Sequence, residues 1–395
     1  MENKLHRLSV YASWPVLSAL LVSLLLLLTT CTRPSNENTY IAMLPEPQAF
    51  QTIIDEKPVY LYTLDNGDGM KIAITNFGGR IVSWLAQDRN GNWDDIVMGY
   101  DSIDGYLSSN EAFFGALIGR YSNRIQKGQF TLNDSTYQLD INNGPHHLHG
   151  GSKGFHNVVW NATQHSETHL SLNYTSVDGE MGYPGTVQVQ VDFRLEANNS
   201  LRIDFAATTD KATPINLTTH PFFNLGGAAS GSIEDHVLIL FADYYTPIDS
   251  LLIPTGVLEP VEGTPFDFRT PTPIRRQLDS TNTQQIYGRG FDHNFVIQQT
   301  DTTETLKLAA RVLERRSGRI LEVLTSQPGI QFYSGNFLDG SDVGREGKPY
   351  VYRGAFCLEP QFFPDSPNRP EFPSTLLEPN ERYEHTIVFR LDVKK

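Results

Sequence analysis

Between Val187 and Phe205 the side chains alternate with a period of two. Val187, Val189, Val191, Phe193 and Leu195 are apolar, while Gln188, Gln190, Asp192, Arg194 and Glu196 between them are polar. The turn-forming Ala197-Asn198-Asn199-Ser200 follows, and Leu201, Ile203 and Phe205 then alternate with Arg202 and Asp204. Successive side chains of a strand point to opposite faces, so this stretch predicts an antiparallel hairpin with one buried and one wet face. Strand-like runs recur at 71–76, 169–176, 237–241, 306–314, 320–325 and 386–393, and no long segment has helical spacing. Strands that do not alternate with helices give no basis for a parallel sheet. The expected fold is all-β, a large antiparallel β-sandwich. With no internal repeat or second linker, residues 51–395 read as one domain.

A chain of 395 residues, 39% hydrophobic, can bury a large core. Its formal net charge of -14 argues against nucleic acid or an anionic membrane surface as partner, and is silent on a neutral ligand such as a sugar. The N-terminus reads as an export signal. Lys4 and Arg7 precede an apolar run, Val16 to Leu28, that is short for a membrane span. The run ends at Leu28-Thr29-Thr30-Cys31, similar to a bacterial lipobox, in which the cysteine is lipidated and becomes the new N-terminus. Ordinary secretion, with Cys31 incidental, is the alternative. Residues 1–31 are therefore expected to be a signal peptide and 32–50, with Pro34, Pro45 and Pro47, a tether. The expected location is the periplasm or the outer membrane, with membrane contact only through the lipid. Cys31 and Cys357 are the sole cysteines, so a lipidated Cys31 leaves no intramolecular disulfide.

Six segments carry groups suited to chemistry. His220, in Thr218-Thr219-His220-Pro221-Phe222-Phe223, leaves a strand-like stretch for an aromatic turn, where an imidazole can reach a polar cleft. Gly119-Arg120-Tyr121-Ser122-Asn123-Arg124-Ile125 offers two guanidinium forks for hydroxyls or carboxylates, or is a solvated turn. His146-His147-Leu148-His149-Gly150-Gly151 raises the question of metal, because His147 and His149 share a face on an extended backbone. A catalytic zinc site would need a third ligand and groups to orient it, and no HExxH motif or cysteine pair appears, so hydrogen-bonding histidines are the preferred reading and no metal is expected. Asp292, leading into a strand, suits two neighbouring hydroxyls or a turn cap. Gln331 and Tyr333 fall on one face of an extended segment, either toward a ligand or as an ordinary polar face. In Cys357-Leu358-Glu359-Pro360-Gln361, Glu359 is a carboxyl among apolar neighbours, either a raised-pKa base or half of a buried ion pair. Pro360 cannot donate to a ladder, which places that strand at an edge or distorts it.

Taken in order, these segments resemble the aldose 1-epimerases, or galactose mutarotases, over nearly the whole mature chain. Asn76-Phe77-Gly78-Gly79, the run from Asp178 to Gly185, and Gly263-Thr264-Pro265-Phe266-Asp267 extend the likeness. The resemblance implies a twisted β-supersandwich with an open sugar cleft. It implies His220 as general acid, Glu359 as general base, and Asn123, Arg124, His149, Asp292 and Gln331 as sugar-binding residues. Arg120 stands near this group with a less definite match. Two departures are Pro221-Phe222-Phe223, where the family commonly has Ser-Tyr-Phe, and Pro360, where it commonly has Thr.

Interconverting the anomers of a free aldose needs a base for the C1 hydroxyl and an acid for the ring oxygen, with Glu359 ionised and His220 protonated. That chemistry calls for no cofactor, and the sequence leaves room for a structural calcium ion away from it. The partner is a small aldose and the expected state a monomer. A non-catalytic carbohydrate-binding lipoprotein and a glycoside hydrolase using Asp292 with Glu359 are the competing readings.

Overall fold

The structure is a computed structural model that describes residues 43–228, 230–298 and 305–395. The expected signal peptide, Cys31 and most of the expected tether lie outside the described residues. The end of the expected tether, however, belongs to the domain. Pro47–Phe50 forms a short 3-10 turn with Phe50 fully buried. The Phe50 ring packs 6.3 Å from that of Tyr106, while Leu44 and Ala49 pack on the same cluster. Apolar burial here fixes the start of the domain before residue 51.

The hairpin read from alternation forms as Val187–Glu196 paired antiparallel with Ser200–Thr209. It lies within a nine-stranded sheet that also contains His169–Ser176, Tyr383–Val393, Arg319–Thr325 and Lys307–Leu313. Val187, Phe193, Leu201 and Ile203 are wholly buried on its inner face. Each such side chain contributes about 1.5–3 kcal/mol through burial. Against this face lie a four-stranded sheet, from Leu61–Asp65 to Trp93–Asp95, and a five-stranded sheet. One core unites them: Trp84 of the four-stranded sheet meets Phe389 of the large sheet edge-on at 6.0 Å.

The five-stranded sheet positions the chemistry. Its strands run in the order Glu259–Pro260, Ala242–Tyr245, Asp292–Ile297, Gly329–Tyr333 and Cys357–Gln361. The register sets Asn294 opposite Gln331, and Gln331 opposite Glu359. Cys357–Gln361 is the edge strand, where Pro360 is tolerated for want of an outer ladder partner. Pro360 still uses its carbonyl, which accepts from Thr218 Oγ1 at 2.6 Å. That bond ties the Glu359 strand to the segment that carries His220.

Candidate active site

His220 follows the two-residue strand Thr218–Thr219, which pairs with Leu117–Ile118. Its N–H donates to the Ala116 carbonyl at 2.9 Å and its carbonyl accepts from Gly115 N at 3.0 Å, so the backbone is held on both sides. The ring stacks nearly parallel to Phe222, centroids 4.9 Å apart, and to Phe113 at 6.0 Å. Nε2 stands 3.4 Å from Glu359 Oε2, and both side chains are almost fully buried. Glu359 Oε2 makes no hydrogen bond within the protein, so it retains capacity for a ligand.

A cleft of about 320 Å³ opens on this pair, and Asn123, Arg124, His149 and Asp292 help to line it. A larger hollow of about 430 Å³ beside Phe130 and Phe372 has no histidine or carboxylate in its wall. Arg124 Nη1 lies 3.9 Å from Asp292 Oδ2, and its Nε donates to Asn143 Oδ1 at 3.3 Å. The Asn123 N–H donates to His149 Nδ1 at 3.1 Å, which in the neutral ring leaves the hydrogen on Nε2. Gly150 follows because a Cβ there would collide with the Gly119 carbonyl, and its φ of +86° is one that glycine adopts without strain.

Gln331 is not in the cleft wall. It stands behind Asp292, 2% exposed, and donates from Nε2 to Asp292 Oδ1 at 2.7 Å. Its own Oε1 accepts from Gln361 Nε2 at 3.3 Å, and Gln361 Oε1 accepts from Ser122 Oγ at 3.0 Å. Arg120 also points away from the cleft. Its guanidinium donates to the carbonyls of Pro184 at 2.8 Å, Gly185 at 3.0 Å and Ser176 at 3.2 Å, clasping the 176–185 segment.

The two histidines expected to share a face do not. The strand is only His147–Leu148, and His149 has φ +52°, which ends the alternation. The His147 ring is spent on the Asp140 carbonyl and the Tyr183 hydroxyl, each at 2.6 Å. Among the described residues, the trio with ligand atoms close enough for a metal is His149, His220 and Glu359, within 4.8 Å of one another. The fit is poor, because His149 Nδ1 is taken and a neutral ring then presents a hydrogen, not a lone pair, at Nε2.

Burial sets the protonation states. It pushes His220 down to about 3 and Glu359 well above the usual carboxylate range, the latter raised further by Asp292 and opposed by Arg124. Burial by itself thus favours a neutral imidazole and a protonated carboxyl, not the charged pair expected from the chemistry alone. The inventory is unchanged: one proton for two groups. Asp292 is raised by burial, against the pull of Arg124 and Gln331. Tyr333, read as sharing a face with Gln331, also lines the cleft, as do Glu111, Phe113 and Phe337, which carried no signal in the sequence.

A buried imidazole and carboxyl facing each other in a polar, partly aromatic cleft equip this sandwich as an acid–base enzyme for a small neutral ligand. Residues 60–390 match the family model described as Aldose 1-epimerase. Over 326 residues the chain is 43% identical to galactose mutarotase from Bos taurus, spanning 82% of this chain and 92% of that one. It is 36% identical over 331 residues to aldose 1-epimerase from Escherichia coli K12, spanning 83% and 94%. Among solved structures, an aldose epimerase homologue from C. elegans superposes with a TM-score of 0.78 at 29% identity, covering 85% of this chain and 99% of that chain. The chain belongs to the aldose 1-epimerase family.

Proposed function

We infer that the protein is an isomerase that interconverts the α and β anomers of free aldoses such as glucose or galactose. The observation that carries this is the 3.4 Å approach of His220 Nε2 to Glu359 Oε2 at the base of the cleft. In our reading, Glu359 takes the proton of the C1 hydroxyl as the C1–O5 bond breaks. The bond's electron pair passes to O5, and His220 supplies its proton. The open-chain aldehyde turns about C1–C2 and recloses by the reverse transfers, so the pair holds one proton before and after. Bound sugar shifts these protonation states. A C1 hydroxyl donating to Glu359 and a ring oxygen accepting from His220 both stabilise the charged forms that burial disfavours. Each group then contributes on the order of 10²–10⁴-fold.

Asn123, Arg124, His149 and Asp292 bind sugar oxygens other than the reacting pair, with His149 donating from Nε2. Gln331 acts as a positioning residue that orients Asp292. The reaction needs no cofactor from this residue set. The hydrolase reading would pair Asp292 with Glu359, but Arg124 and Gln331 already engage Asp292. Polarimetry of freshly dissolved α-D-glucose and α-D-galactose tests the activity; no acceleration of either decay, nor of any other aldose, refutes it. Export and a lipid on Cys31 rest on the Lys4 to Cys31 pattern. Cys31→Ser is expected to release the protein from the membrane fraction.

A further inference from the structure

A third carboxyl faces the cleft. Glu111 lies in the loop between the helix Ile103–Ser108 and the strand Leu117–Ile118. Its backbone N–H donates to Ser109 Oγ at 3.1 Å and to Asp342 Oδ2 at 3.2 Å, which fixes the loop. Its Oε1 accepts from the Phe113 N–H at 3.0 Å. Among the described residues nothing donates to its Oε2, and Glu111 enters no ion pair. The nearby cation, Arg80, is committed to the carbonyls of Ala112, Phe114 and His156.

Glu111 is half-buried, and a carboxyl oxygen that lines a cleft without a protein donor is available to a hydroxyl of the ligand. Burial and Asp342 raise Glu111 to about 7, against the Phe113 N–H and Arg80. It lines the same cleft as His220, Tyr333 and Glu359, the space that the sugar occupies in our reading. The His220–Glu359 pair already serves both proton transfers, which leaves Glu111 no part in the C1–O5 bond.

We propose that Glu111 is a further substrate-contacting residue, which accepts a hydrogen bond from a hydroxyl of the aldose remote from C1 and so sets which aldoses the cleft takes. This rests on the mutarotase reading of the site. The test uses the full chain and two variants, Glu111→Ala and Glu111→Gln. Mutarotation is followed on D-glucose, D-galactose and analogues singly deoxygenated at C2, C3, C4 or C6, all of which keep the reacting atoms. For the parent sugar, Glu111→Ala is expected to raise KM about tenfold or more, as for the loss of a hydrogen bond to a charged acceptor. For one analogue, wild type and variant have the same KM, because the hydroxyl is already gone. Glu111→Gln, which retains the acceptor for the Phe113 N–H, shows a smaller rise confined to the same carbon and carries the test if the alanine variant does not fold. An equal penalty on every sugar, or no change in KM, overturns the proposal. Failure of the wild type to act on any aldose would instead overturn the functional reading.

Discussion

Replacing Gln331 by leucine tests whether a residue can serve this cleft without touching the sugar. The change removes the donor 2.7 Å from Asp292 Oδ1 and keeps an apolar side chain of similar volume on the same strand. A hydrogen bond to a charged acceptor is worth about 1.5–3 kcal/mol, or roughly ten- to a hundredfold in KM if Asp292 can no longer hold its hydroxyl partners. Losing the bond also raises Asp292 further, because Gln331 is one of two groups opposing its burial. Gln361 Nε2 loses its acceptor as well, so a stability loss of about 1–3 kcal/mol is expected in urea denaturation. The decisive assay is a double-mutant cycle in polarimetric kcat/KM with Asp292→Asn. If Gln331 acts through Asp292, the double variant is no worse than Asp292→Asn alone, within about 0.5 kcal/mol. Additive losses would refute the argument and put Gln331 on the sugar itself.

Further expectations follow from the same geometry. His220→Asn and Glu359→Gln each reduce kcat by about 10²–10⁴-fold with an unchanged urea midpoint, and near-wild-type rates in either would sink the acid–base assignment. Arg120→Met strands several buried carbonyls and is expected to destabilise the fold by about 3 kcal/mol or more, read as a lower midpoint, whereas an unchanged midpoint would mean that the clasp is idle. His293, wholly buried, is held down to about 3 from an ordinary 6.5. The unfolded chain therefore takes up the proton first, and this contribution to stability is complete above pH 6.5 and lost as the pH falls toward 3. Relative to His293→Gln, the wild type should lose about 1.4 kcal/mol per pH unit below 6.5, and parallel pH profiles would contradict this.

Strands were legible wherever one face is wet. Alternation marked Val187–Glu196 and His169–Ser176 because polar outward positions separate the core residues. The site was legible only through the order of its motifs. Arg120 and Arg124 are four residues apart in one motif, yet one clasps a loop and the other lines the cleft, since the chain turns at Asn123 with φ +64°. A left-handed residue at His149 likewise separates two histidines that an extended backbone would have aligned. Glu111 escaped notice because it sits in an irregular loop, where no period says which way a carboxyl faces. For Gln331 periodicity leaves the choice between ligand and ordinary polar face open, because it gives a face but not what stands in front of it. The resemblance does not separate a residue touching the sugar from one behind Asp292.

The bonds Ser122 to Gln361, Gln361 to Gln331 and Gln331 to Asp292 all donate in one direction. Turning any one amide over would set like against like at its neighbour, so the three bonds stand or fall as a unit. The orientation of the Asp292 carboxyl is therefore settled during folding. A ligand meets a wall already ordered, and its affinity is not reduced by the entropy of arranging that wall. The acceptor-only carboxylate sets the direction of the relay, and the Ser122 hydroxyl, able to donate or accept, closes it three hydrogen bonds away.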